Sequence, residues 1–122
     1  MGVWSNAVTV TVEEKFEVAT NTLKAPAGPI YVGEPATFTG TVTFTRPAPE
    51  TYTLLIDIEV NGSITQRDVP VETISPGESS KTYSFQLEFG KPGSYTIRTY
   101  AKVAPAGTAP PPTPPKIPVY PT

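Results

Sequence analysis

From Ala36 to Thr45 the chain alternates without a break. Ala36, Phe38, Gly40, Val42 and Phe44 fall on one side, and Thr37, Thr39, Thr41, Thr43 and Thr45 on the other. Side chains repeating every two residues can share one buried face only in an extended strand, because a helix would scatter them around its circumference. The same period returns along most of the chain. Tyr52, Leu54, Ile56, Ile58 and Val60 oppose Thr51, Thr53, Leu55, Asp57 and Glu59, which predicts a second strand with a solvated outer face. Tyr83, Phe85, Leu87 and Phe89 predict another, and Tyr95, Ile97, Thr99, Ala101 and Val103 alternate against Thr96, Arg98, Tyr100 and Lys102 to predict the last. Helical periodicity is almost absent.

The breaks between these runs carry turn chemistry. Asn61-Gly62 supplies the two positive φ angles of a tight hairpin, after which a return strand is expected from near Ile64 to about Val71. Pro70 inside it marks an edge or a bulge, since proline donates no ladder hydrogen bond. Ser75-Pro76-Gly77-Glu78 and Lys91-Pro92-Gly93 read as further turns. Ala25 to Gly33, with Pro26, Gly28 and Pro29, reads as a loop crossing between sheets. Ahead of it, Val8, Val10 and Val12 alternate with Thr9 and Thr11, and Phe16 and Val18 resume after Glu13-Glu14-Lys15, predicting two short strands or one bent one. Six to eight strands joined by turns with no helix between them predict an all-β antiparallel sandwich, with a closed barrel as the structural alternative. From Pro105 onward 8 of 18 residues are proline, which favours extended polyproline II and cannot join the middle of a sheet.

Composition narrows the chemistry. There is no cysteine and no histidine in 122 residues, so disulfides, thiolate zinc sites, histidine general bases and the Ser-His-Asp triad are all excluded. The formal charge of −2, with no basic stripe, argues against nucleic acid as a partner. No apolar run is long enough for a membrane span, and Met1-Gly2-Val3-Trp4-Ser5-Asn6 lacks signal-peptide character. Nineteen threonines and twelve valines against three Asn, two Gln and one Met, together with abundant proline, suggest a heat-adapted source.

Gly33-Glu34-Pro35 leading into a Thr-rich strand, Val60-Asn61-Gly62 at a hairpin, Ile74-Ser75-Pro76-Gly77-Glu78 before an aromatic strand, and Gly93-Ser94-Tyr95-Thr96-Ile97 opening the last strand occur in that order. In these features the segment from about Ile30 to Val103 resembles the immunoglobulin-like domains of prokaryotic surface proteins, nearest to the cell-adhesion-related CARDB type. The resemblance implies a non-enzymatic module used for display, spacing or adhesion. The chain then divides into an N-terminal strand or arm (1–20), an immunoglobulin-like β-sandwich core (21–104) and a proline-rich C-terminal tail (105–122).

Few residues invite a chemical role. Asp57 and Glu59 share a strand face and, with Asp68 across the hairpin, offer carboxylate oxygens for calcium or a carboxylate pair for glycoside hydrolysis. Two strand carboxylates lack the converging loop oxygens of a calcium site, so no metal, cofactor or catalytic residue is expected. Trp4, Tyr31, Tyr100 and Tyr120 are candidates for stacking on a sugar, and the threonine ladder from Thr37 to Thr45 reads as an ordinary solvent-facing strand. The termini are the most suggestive segments. Val8, Val10 and Val12 have the β propensity to serve as the domain's own first strand or to add to a neighbour's edge. Ile117, Val119 and Tyr120, set between prolines, could dock on another subunit. The expected function is therefore a non-catalytic structural or assembly module of a multi-copy extracellular, cell-surface or virion assembly: a decoration or capsid-associated protein, pilus or filament subunit, or surface-layer component. It would form homo-oligomers or contact other structural subunits through its two arms. The alternative is a carbohydrate-binding or adhesion module carried beside a surface protein or enzyme.

Overall fold

In a computed structural model, which describes residues 1–108 and 119–120, six strands form two sheets and run antiparallel to their neighbours. They are β1 (Val18–Lys24), β2 (Ala36–Phe44), β3 (Tyr52–Val60), β4 (Ser63–Ile74), β5 (Ser80–Phe89) and β6 (Ile97–Pro105). One sheet has the order β1-β2-β5 and the other β4-β3-β6, so the barrel alternative is set aside. A two-residue β7 (Val119–Tyr120) adds to β5 in parallel, opposite Glu88 and Phe89. Among the described residues the helical structure is a single 3-10 turn, Ala106–Thr108.

The alternating runs meet across the interior. Phe38, Val42 and Phe44 of β2 and Tyr83, Phe85, Leu87 and Phe89 of β5 are buried against Leu54, Ile56, Ile58 and Val60 of β3 and Ile74 of β4. The Asn61-Gly62 hairpin forms as expected, with φ of 51° and 82°. Pro70 lies in β4, an edge strand whose register shifts opposite Leu54/Leu55, so both readings of that proline hold.

Four expectations are corrected. The loop 25–33 does not cross between sheets, because β1 and β2 are neighbours in one sheet. No strand forms at Val8 to Val12, and the first begins at Val18, so a boundary after residue 20 cuts through β1. The last strand starts at Ile97, with Tyr95 in the preceding loop. The outer face of β3 is not solvated: Thr53, Leu55 and Asp57 are buried because β3 is the central strand, flanked on both sides by side chains of β4 and β6.

The strand directions give the sandwich two distinct ends. β1 and β5 finish, and β2 and β6 begin, at what is termed here the upper end. Phe44, Tyr52 and the start of β1 lie at the lower end.

Candidate functional site

Phe16 is the first buried residue of the chain. The residue is 7% exposed, and its ring sits 4.9 Å from the Phe44 ring and 4.5 Å from the Tyr52 ring, closing the lower end of the core. Thr45 Oγ1 donates to Lys15 O at 2.7 Å and accepts from Glu17 N, while the Thr45 amide donates to Glu17 O. Arg46 reaches Glu13 Oε2 at 3.2 Å and donates to Glu14 O. Everything ahead of this root stands away from the body. Val8, Val10 and Val12 are 79%, 76% and 89% exposed, and every residue from 1 to 15 is exposed.

The second feature is the outer edge of β6. It pairs with β3 on one side, and among the described residues no strand lies on the other. Backbone amides and carbonyls of successive strand residues point in opposite directions. The Thr96 amide and carbonyl bond Asn61, beside β3, and the Thr99 carbonyl accepts from the Asn21 side chain on β1. Ile97, Thr99, Ala101 and Val103 therefore turn their backbone groups to the open edge, while their side chains pack inward.

The Asn21 bond belongs to a latch between the sheets. Asn21 Nδ2 donates to Thr99 O at 3.1 Å, and the Tyr83 hydroxyl donates to Asn21 Oδ1 at 2.9 Å and accepts from Thr99 Oγ1 at 2.8 Å. Burial pushes the Tyr83 phenol above its ordinary pKa, and the bonds to Thr99 and Asn21 only partly offset it. The Tyr83 ring lies over Gly40, where a β-carbon would overlap it. This gives a reason for glycine inside a strand.

Above the latch β1 and β6 leave an apolar groove of about 580 Å³ at the upper end. Leu23, Phe38, Phe89, Tyr95 and Ile97 form its walls, and Ile30, Tyr31 and Val32, all exposed, form its rim with Lys91. The loop carrying that rim is fastened by the Gly33 amide, which donates to Phe89 O at 3.0 Å.

The carboxylates form ion pairs. Asp57 Oδ1 accepts from the Asp68 amide at 2.8 Å and from Lys102 Nζ at 3.1 Å, and Lys102 also pairs with Asp68. Burial would raise the Asp57 pKa, but these bonds and the Lys102 and Arg67 charges together lower it. Glu59 holds Arg98 by two bonds of 2.7 and 2.9 Å, which lowers its pKa. With their charges met by cations, Asp57 and Glu59 are arranged as cross-strand ties, and among the described residues no three carboxylates converge as metal ligands.

Of the aromatic candidates, Trp4 stands on the arm, Tyr31 at the groove rim and Tyr100 on β6 beside Asp57 and Glu59. Val119 and Tyr120 lie in β7, against this chain's own β5, and Ile117 falls outside the described residues. Comparisons with protein-family models, curated proteins and solved structures find no match.

Proposed function

We propose that the chain is a non-catalytic, immunoglobulin-like structural module that assembles in many copies through its N-terminal arm. The strand order supports the fold reading. On that reading β1, β2 and β5 would correspond to strands A, B and E, β3 and β6 to C and F, and β4 to C′. Strand G would then lie along the outer edge of β6, which has no partner strand among the described residues.

One observation carries the assembly reading: a single molecule displays both an unpaired arm of alternating valines and a strand edge with no partner strand among the described residues. Full burial of each valine is worth roughly 1.5–3 kcal/mol, which an arm standing in water forgoes. An open edge is equally a standing template for strand addition. The C-terminal segment takes a lesser part, because β7 already adds to its own sheet. A setting outside the cell, on a surface or a virion, rests on the resemblance of Ile30–Val103 to surface-protein modules. A sugar platform is less well supported, since Trp4, Tyr31 and Tyr100 occupy three separate stations.

The test is deletion of residues 1–12. The full chain should associate with rising concentration in sedimentation velocity, whereas the shortened chain stays monomeric and melts at the parent temperature. A full-length chain that remains monomeric at millimolar concentration would overturn the reading.

A further inference from the structure

We propose that the acceptor of the arm is the outer edge of β6 in a second copy. Residues 4–12 run antiparallel to it, with Val12 at the upper end beside Ile97 and the apolar groove, and Val8 beside Ala101. This rests on the assembly reading above and adds the acceptor and the direction.

The two halves match in length and face. β6 has nine residues, an edge about 30 Å long, and residues 4–12 are nine more. The valines fall on one side of the arm and the threonines on the other. Laid on β6, the valine side continues the inward face of Ile97, Ala101 and Val103, and Thr9 and Thr11 join the outer face of Arg98, Tyr100 and Lys102. The Asn21 side chain now supplies one of the hydrogen bonds that a strand at this edge would make.

Reach decides between the arm's own edge and a neighbour's. Phe16 is fixed at the lower end, and the four residues from Val12 to Phe16 span at most about 14 Å, less than half the length of β6. Within one chain Val12 therefore stays at the lower end, and only a parallel pairing is open to it. Between two chains the antiparallel pairing follows: Val12 leaves the acceptor at its upper end and continues into the Phe16 root of the donor. Glu14 then emerges beside Lys91 on the acceptor's groove rim, opposite in charge. The lower end of each donor thus lies beside the upper end of its acceptor, an arrangement that two copies can exchange reciprocally or that can pass from one copy to the next.

The absence of cysteine makes the test clean. Single-cysteine batches of the full chain are mixed and oxidised, with a mass tag on one batch. Val12→Cys should cross-link to Ile97→Cys many-fold more than Val8→Cys does, and Val8→Cys should prefer Ala101→Cys. The reverse preference means parallel pairing and overturns the proposal. If neither pair links while association still requires residues 1–12, the acceptor lies elsewhere and the assembly reading stands; if residues 1–12 are dispensable for association, that reading fails as well. Ala101→Pro is the second probe. Its amide faces the open edge, so the variant should keep its β-sheet circular dichroism and lose association; a folded Ala101→Pro chain that associates like the parent contradicts the proposal.

Discussion

Tyr83→Phe removes one oxygen from the interior and tests whether the sheets are latched where β1 meets β6. The residue is 1% exposed, and its hydroxyl bonds Asn21 and Thr99 at 2.9 and 2.8 Å. Phenylalanine keeps the ring over Gly40, so no cavity opens and the loss is confined to polar contacts. Two hydrogen bonds at about 1 kcal/mol each give a cost of about 2 kcal/mol. For a domain of this size that lowers Tm by roughly 8–16 °C. Thermal melts followed by circular dichroism at neutral pH would measure it. In an Asn21→Ala background the same substitution should cost less, because the hydroxyl has already lost one partner. A Tyr83→Phe melt indistinguishable from the parent, or strictly additive losses in the double variant, would refute the latch. Alkaline titration gives the sign independently. The folded state raises the phenol's pKa, so this stabilisation is complete below the ordinary tyrosine value near 10 and is lost as pH rises through the higher folded one.

Three further expectations concern the body of the domain. Phe16→Ala should destabilise by about 3–5 kcal/mol in denaturant melts, since the ring fills the space between Phe44 and Tyr52; a loss below 1 kcal/mol would show that it does not close the core. Gly40→Ala should cost about 1–3 kcal/mol by driving the Tyr83 ring from its seat, and an unchanged melt would contradict that close approach. Asp57, Glu59 and Glu78 all have lowered pKa values in the fold, so their contribution is complete above the ordinary carboxylate range and is lost as pH falls below about 4. Melts from pH 6 to 2 should show that decline, and an Asp57→Asn variant should show a shallower one.

Alternation was a dependable guide where one face meets the core and the other meets water, as in β2 and β5. It was blind to what covers a strand. Val8, Val10 and Val12 satisfy the period as well as Phe38, Val42 and Phe44 do, because the pattern records a capacity for half-burial and not the identity of the partner. At β3 it erred in the other direction. Thr53 and Asp57 read as solvent-facing, yet a central strand is covered by its neighbours' side chains, and which strand is central depends on topology. The latch was invisible for the same reason: Asn21 lies 78 residues from Thr99 and 62 from Tyr83, and only the sheet order brings them together. Gly40 was the one legible trace, since glycine inside a strong strand signals the close approach of something else.

Hydrogen exchange resolved to single amides tests the central claim most directly, because it reads the arm and the edge in the same sample. In dilute solution Arg98, Tyr100, Lys102 and Ala104, which pair with β3, should exchange slowly, while Ile97, Thr99, Ala101, Val103 and the arm exchange fast. On concentration, the account predicts that the second set and the Val8–Val12 segment gain protection together, over the same concentration range as association. Association with the β6 edge and the arm still exchanging fast, or protection of one without the other, would contradict it.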